Sequence, residues 1–212
     1  MKFIIGKKIG MTKIFESSGK SRGISIVETL PCYVSEIKTV DKNGYDALQI
    51  ACKEAKRLSK SEKGHLNKLY KENSSAKDKN FKVLKEIKIT KDEVQKYKIG
   101  DEIKLDIFKA GEKIAIHAVS KGKGFQGTVK RHHFHTGPKT HGSDNYRQPG
   151  SIGATYPQRT IKGRRMSGHM GHENVTVKNL VLCDILPDKN LLLIEGSVPG
   201  SRGNLVTIEG KI

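Results

Sequence analysis

Residues 120–172 read SKGKGFQGTVKRHHFHTGPKTHGSDNYRQPGSIGATYPQRTIKGRRMSGHMGH, and their composition separates them from the rest of the chain. They hold ten Lys and Arg against one acid, Asp144, so their formal charge is +9. Ten of these residues are glycines and only ten are apolar. Ordering a segment of this length costs on the order of 50–100 kcal/mol of backbone entropy, which so few apolar side chains cannot offset. We therefore expect the segment to become ordered against a large polyanion, and nucleic acid is the obvious candidate.

The residues outside this basic segment also carry a net positive charge. The 212 residues carry a net charge of +18, so half of the charge lies outside the basic segment and the entire surface is basic. Apolar residues make up 35% of the chain, which is enough for one core of modest size. The length limits the chain to one or two domains.

Outside the basic segment, short runs rich in β-branched residues predict a mostly β protein, built as an antiparallel barrel or a small sandwich. Strands are predicted at residues 23–30, 33–40, 46–53, 81–89, 102–108, 113–119, 174–185, 191–195 and 205–208. A short surface helix is predicted within the polar residues 56–80, where Leu66, Leu69 and Tyr70 have helical spacing. A further helical turn or two is predicted at 91–97, where Thr90 and Glu93 fit a capping box.

This pattern predicts two regions. The body comprises residues 1–119 and 173–212, with a polar, partly helical insertion near 56–80. Residues 120–172 form a long irregular loop inserted between two strands of that body. An insertion of this length reaches well beyond the globule to which both of its ends return.

The cysteines and the apolar runs indicate a cytoplasmic protein. Cys32, Cys52 and Cys183 are odd in number and far apart, and each lies in an apolar run, so we expect buried, reduced thiols. The N-terminal sequence MKFIIGKKIGM has three consecutive apolar residues, too few for a signal peptide. The longest aliphatic run, residues 191–194, is far shorter than the ~20 residues that span a bilayer.

Two enzymatic interpretations of the basic segment compete with nucleic-acid binding. Gly122, Gly124 and Gly127 form a G-x-G-x-x-G pattern, but the following TVKRHHFHTGP lacks the apolar stripe of the helix that a dinucleotide site requires. The segment also holds six of the eight histidines, which invites a metal-binding interpretation: His132, His133, His135, His141, His169 and His172. Cysteines and carboxylates are scarce around them, and the neighbouring cations would repel a metal ion. A metal- or nucleotide-dependent enzyme remains the alternative.

RNA binding accounts for more of the segment. Its cations are spread along the chain, as a winding phosphate backbone requires, and its glycines permit close approach of the backbone. Phe125, Phe134, Tyr146 and Tyr156 are interleaved as possible stacking platforms, and histidines can stack on bases or bond to phosphates. The candidate RNA-binding residues are Lys121, Lys123, Phe125, Lys130, Arg131, His133, Lys139, His141, Arg147, Tyr156, Arg159, Lys162, Arg164, Arg165 and His169.

Several motifs, taken in order, resemble one family. They are GKKIGMT at residues 6–12, KGKGFQGTVKR at 121–131, PGSIGA at 149–154, KGRRMSGHMG at 162–171 and NLLLIEGSVPG at 190–200. This succession closely resembles the bacterial type of large-subunit ribosomal protein L3, and the resemblance covers essentially the whole chain.

The resemblance implies more than the residues do by themselves. It implies a β-barrel of the translation-protein type, a non-catalytic role in early large-subunit assembly, and contacts with ribosomal RNA and neighbouring large-subunit proteins, without a cofactor. It also implies that the extension runs toward the peptidyl transferase centre. The residues that it places nearest that centre are Ser143, Asp144, Asn145, Arg147, Gln148, Pro149, Gly150, Ser151 and Ala154. Ala154 stands where some members have a methylated glutamine, so that modification does not carry over.

Overall fold

The structure is a computed structural model that describes residues 2–15, 19–72 and 80–210. The chain divides into two compact units. The first, here called the body, comprises Met1–Val119 and Asn174–Ile212, and the second, here called the basic unit, comprises Ser120–Glu173. The basic unit is thus inserted into the sequence of the body between two of its strands.

Six strands of the body close into an antiparallel barrel in the order β1-β12-β7-β10-β11-β2. Their bounds are β1 Phe3–Phe15, β2 Ser21–Thr29, β7 Lys113–Val119, β10 Asn174–Leu186, β11 Leu191–Glu195 and β12 Leu205–Gly210. The barrel is filled by β-branched and leucine side chains, among them Ile116, Leu192 and Ile208, which are fully buried. This arrangement confirms the predicted mostly β fold with an antiparallel barrel.

A second sheet of the body has the strand order β5-β4-β3-β6. Its strands are β3 Cys32–Lys38, β4 Ala47–Glu54, β5 Phe81–Lys88 and β6 Glu102–Ile103. Ile50, Cys52 and Ile87 belong to the same hydrophobic cluster as the barrel residues. Tyr33, Ala51 and Phe81 belong to a second cluster with two leucines of a helix, so each face of this sheet is covered.

Four α-helices occur in the described residues: α1 Val40–Asn43, α2 Lys60–Glu72, α3 Lys91–Val94 and α4 Thr128–His132. Helix α2 confirms the predicted surface helix, and it packs through Leu66 and Leu69, which are both buried. Residues 73–79 of the predicted polar insertion lie outside the described residues. Helix α3 confirms the predicted capping box, because the Thr90 N–H and hydroxyl both donate to the Glu93 carboxylate.

Within the body, the predicted strand pattern was wrong at one segment and missed one strand. Residues 102–108 were predicted as one half-buried strand, but only Glu102–Ile103 forms a strand, and Leu105–Ile107 forms a 3-10 turn. This turn buries both Leu105 and Phe108, so the spacing of these apolar residues reflects a bend in the chain and not the alternation of a strand. Strand β1 was not predicted, because its GKKIG motif interrupts the apolar alternation with lysines and glycines.

The cysteines are free thiols. Cys32 and Cys52 are buried opposite each other on β3 and β4, while Cys183 is only half-buried. The hydrogen bond with Cys32, together with burial, raises the pKa of Cys52 far above its usual range. In the described ranges, no helix has the length and apolar character needed to cross a membrane.

Candidate nucleic-acid interface

The basic unit is closed at its base by a short hairpin. Strands β8 (Gly124–Gln126) and β9 (Gly168–Met170) pair antiparallel, with Phe125 opposite His169. Below this pair the Ser120 N–H donates to the Glu173 carbonyl at 2.9 Å. Gly171 has φ +76° and lies so close to the Lys121 carbonyl oxygen that a Cβ there would overlap it. The two arms therefore meet at a defined register.

Next along the unit, two side chains converge on one backbone carbonyl. Helix α4 positions Arg131 and His132, and the opposite arm supplies Met166. The Arg131 Nη1 donates to the Met166 carbonyl at 2.9 Å, and the His132 Nε2 lies 3.0 Å from the same oxygen. The guanidinium occupies the space beside Gly168, where a Cβ would stand 2.6 Å from Nη1. Arg131 thus bridges the two arms, which sequence reasoning did not anticipate.

A third contact holds a sharp bend in the first arm. The Gly137 N–H donates to the Tyr146 carbonyl at 2.9 Å, and a Cβ on Gly137 would stand 2.6 Å from the Asn145 carbonyl oxygen. Only glycine fits this close approach of backbone to backbone. The Lys139 ammonium lies 5.3 Å from the centre of the Tyr146 ring, within the range of a cation–π interaction. Tyr146 is half-buried by these contacts rather than open as a stacking platform.

The residues farthest along the loop are joined by another arginine. The Arg164 Nη2 donates to the Ser151 carbonyl at 2.5 Å, and the Ser151 hydroxyl donates to the Gly153 carbonyl at 3.0 Å. Every residue from 147 to 165 is exposed. Two backbone bonds, from the Arg159 N–H to the Pro157 carbonyl and from the Arg164 N–H to the Ile161 carbonyl, also lie within this segment, and most of its other polar groups face the surroundings.

The remaining cations of the basic unit point into solvent. None of the ion pairs in the described part of the chain includes a residue of this unit. Seven cations are exposed and make no side-chain hydrogen bond to a described residue: Lys121, Lys123, Lys130, Arg147, Arg159, Lys162 and Arg165. Uncompensated charges at this density repel one another, so a polyanion is the partner that relieves them.

The aromatic residues divide into two pairs. Phe125 and Tyr156 are open, with 74% and 83% of their surface exposed. Phe134 and Tyr146 are half-buried, and the Phe134 ring lies 6.1 Å from that of His132. Only the first pair therefore has a free ring face of the kind that stacks on a nucleobase.

The histidines are dispersed rather than clustered. His133 and His141 have left-handed backbones, with φ of +58° and +61°, and their side chains are exposed. His169 is exposed on β9. Across residues 2–15, 19–72 and 80–210, no group of three His, Cys, Asp or Glu side chains is placed to hold a metal ion.

The glycine motif does not form a dinucleotide site. Helix α4 does follow Gly127, but it has only five residues and ends at His132. Strand β8 lies within the motif, at Gly124–Gln126, instead of before it. A helix this short carries little of the macrodipole that holds a pyrophosphate.

The residues expected to lie deepest in a partner lie in the exposed part of the unit. Ser143 is half-buried, and the others are exposed: Asp144, Asn145, Arg147, Gln148, Pro149, Gly150, Ser151 and Ala154. Gly150 adopts φ +76°, which a side chain would strain. Asp144, the only acid in residues 120–172, makes no ion pair with a described residue.

Residues 82–190 match the family model described as Ribosomal protein L3. A relative from Carboxydothermus hydrogenoformans, named large ribosomal subunit protein uL3, is 43% identical over 210 residues that cover 98% of this chain and 96% of the relative. Relatives of the same name are 44% identical in Dehalococcoides mccartyi, over 97% of this chain and 96% of the relative, and in Heliobacterium modesticaldum, over 100% and 97%.

Proposed function

The chain belongs to the ribosomal protein L3 family, and from this premise we propose that its basic unit binds large-subunit ribosomal RNA directly. The protein is a structural constituent of the large ribosomal subunit, it acts in translation in the cytoplasm, and it is not an enzyme. The proposal extends this role to a mechanism, a set of contacting residues and a part in subunit assembly.

The observation that carries the proposal is the exposed, unpaired charge of the basic unit. Seven cations face solvent without a carboxylate partner among the described residues, and the unit contributes nothing to either hydrophobic cluster. A surface of this kind gains free energy by releasing the counterions of a nucleic acid. Each phosphate that it neutralises lowers the slope of log K against log salt by about 0.7–0.9, so six contacts predict a slope of about −4 to −5.

The structure supports different roles for different candidate residues. In the proposal, exposed cations such as Lys123, Lys130 and Arg147 contact phosphates, and the exposed rings of Phe125 and Tyr156 stack on unpaired bases. Lys139 is engaged with Tyr146 and remains exposed, so it can serve both the bend and the RNA. The exposed His133, His141 and His169 can bond to phosphates or 2′-hydroxyls.

Arg131 and Arg164 have a second role in this proposal. Arg131 donates to the Met166 carbonyl of the opposite arm and so sets the spacing of the arms, and Arg164 donates to the Ser151 carbonyl and so holds a local turn of the loop, while both also carry charge. The arms then enter the RNA partly preorganised, which lowers the entropy cost of binding. Residues 143–154 make the deepest contacts and extend toward the peptidyl transferase centre, and the body contacts neighbouring large-subunit proteins during early assembly.

Sedimentation of large subunits in high salt tests the proposal. Subunits are prepared with the wild-type chain and with a variant in which Arg147, Arg159, Lys162 and Arg165 are alanine. We expect the variant to dissociate at lower salt, with a shallower salt dependence of RNA binding. Equal retention of both chains at every salt concentration would refute a role for these cations. Stoichiometric metal in the purified protein would instead favour the enzymatic alternative, for which the geometry offers no support.

A further inference from the structure

A ribbon of two strands continues past the closed part of the barrel. Strand β1 pairs with β12 only from Phe3 to Lys7, whereas its pairing with β2 runs on to Phe15. Strand β2 pairs with β11 only from Ile24 to Glu28. Among the described residues, 10–15 therefore have no strand neighbour except β2, and 21–23 have none except β1. At ~3.3 Å per residue, the free part of β1 is about 20 Å long.

The ribbon exposes apolar side chains that do not contribute to the hydrophobic core. Ile9, Met11 and Phe15 are 43%, 50% and 67% exposed. They make up half of the large apolar residues that the described part of the body leaves exposed, within seven positions of one strand. Isolated exposed apolar residues are ordinary, but a local group of them marks a binding surface.

The same ribbon is strongly basic. Residues 7–23 hold five Lys and Arg against one acid, Glu16, which lies outside the described residues. Arg22 is paired with Glu195 at 3.2 Å. Lys7, Lys13 and Lys20 are exposed, and no carboxylate of the described residues lies within ion-pair distance of them. The Lys13 ammonium lies 5.4 Å from the centre of the Phe15 ring.

The turn that carries a further cation is held against the ribbon by a buried lysine. Lys8 is 7% exposed, and its ammonium donates to the carbonyls of Val198 and Gly200 at 2.5 and 3.2 Å. The Lys8 backbone also bonds to Gly203 and Asn204, at 2.8 and 3.0 Å. These four bonds hold residues 198–204 on β1.

Arg202 lies in the turn that Lys8 holds. Its Nε is 3.7 Å from the position a Cβ of Gly10 would occupy, and the side chain is exposed. The guanidinium thus lies close to the strand at Gly10. An exposed guanidinium presents several N–H donors in one plane, which matches the geometry of a phosphate.

We infer that this ribbon is a second RNA-binding surface, on the body and separate from the basic unit. Lys7, Lys13 and Arg202 contact phosphates of ribosomal RNA, and Phe15 stacks on an unpaired base of the same strand. Charge decides between the possible occupants: a free strand edge also accepts a strand of another protein, but a surplus of unpaired cations beside an exposed aromatic ring fits a polyanion with bases. The inference rests on the proposed function only for the identity of the RNA.

Photo-crosslinking in assembled large subunits tests the inference. p-Benzoylphenylalanine is placed at position 15, at position 156 of the basic unit and, as a matched control on the body, at the exposed position 45. We expect positions 15 and 156 to crosslink to ribosomal RNA and position 45 to crosslink less. A crosslink from position 15 to a protein, or no crosslink there while position 156 labels RNA, overturns the inference and leaves the proposed function intact. RNA labelling from position 15 but not from position 156 supports the inference and contradicts the proposed contact between the basic unit and RNA.

Salt dependence gives a second, independent readout. The double variant K13A/R202A is compared with K82A/K85A, which removes two exposed lysines from β5 of the same body. Two lost phosphate contacts reduce the slope of log K against log salt by about 1.4 on single-stranded RNA. We expect that reduction for K13A/R202A and none for K82A/K85A. Equal slopes for the two double variants would contradict the assignment.

Discussion

Arg131 offers the sharpest test of how the basic unit works, because its neighbour in sequence supplies a matched control. Arg131 is half-buried and donates to the Met166 carbonyl at 2.9 Å, whereas Lys130 is exposed and makes no side-chain bond with a described residue. Replacing either with alanine removes one positive charge. The two variants therefore separate the bridging of the arms from contact with phosphate.

The magnitude follows from the bond that is lost. Hydrogen bonds from charged donors contribute about 1.5–3 kcal/mol, and we take ~1.5 kcal/mol here because the site is half-exposed. RNA binding must restore the spacing of the arms, so R131A is expected to weaken affinity about tenfold. This loss is independent of salt. In contrast, K130A should reduce the slope of log K against log salt by about 0.7–0.9.

The assay is equilibrium binding of each full-length variant to large-subunit ribosomal RNA over a range of salt concentrations. The variant R131K retains the charge but not the planar fork that reaches the Met166 carbonyl, so it should behave like R131A. If R131A instead lowers the salt slope as much as K130A does, and R131K restores it, then Arg131 is a phosphate contact and our account of the bridge is wrong.

Four further outcomes are expected. Replacing residues 139–159 with a short Gly-Ser linker should leave the thermal melting of the body unchanged, since both hydrophobic clusters lie outside the basic unit, while assembly of large subunits fails; loss of cooperative melting would contradict this. In G171A, the positive φ and the overlap with a backbone carbonyl should open the base of the basic unit, seen as faster amide exchange in β8 and β9. K8M loses two bonds to backbone carbonyls and should lower the free energy of unfolding by about 2 kcal/mol, measured by urea denaturation. The hydrogen bond from Lys38 lowers the pKa of Glu86, so the stability that this pair contributes should be lost as pH falls below about 4.3, and E86Q should show a shallower acid transition.

The sequence was most informative where a local property was sufficient. Short runs of apolar, mostly branched residues predicted β7 and β11, and each of these strands buries alternate side chains inside the barrel. The capping box at Thr90 was predictable for the same reason, since both partners lie within one turn. The predicted strand at residues 102–108 was wrong. A similar spacing there belongs to a 3-10 turn, because Leu105 and Phe108 pack against buried residues elsewhere in the body.

The candidate site was predicted as a segment, and the individual residues were not distinguished. Charge and glycine content identified residues 120–172, because electrostatic repulsion and the shortage of apolar side chains follow from composition alone. Which cations face solvent was not predictable from the sequence. Arg131 and Lys130 are adjacent and chemically similar, yet only one of them lies opposite Met166.

Composition and local pattern determined that this is a basic, mostly β protein with one segment that cannot supply its own core. Tertiary structure decided that Lys8 is buried under the turn at 198–204, that Arg202 lies beside Gly10, and that Arg131 reaches across to Met166. Each of these contacts joins residues at least 35 positions apart. No local propensity encodes such a pairing, since it exists only once the chain has closed the barrel or brought the two arms together.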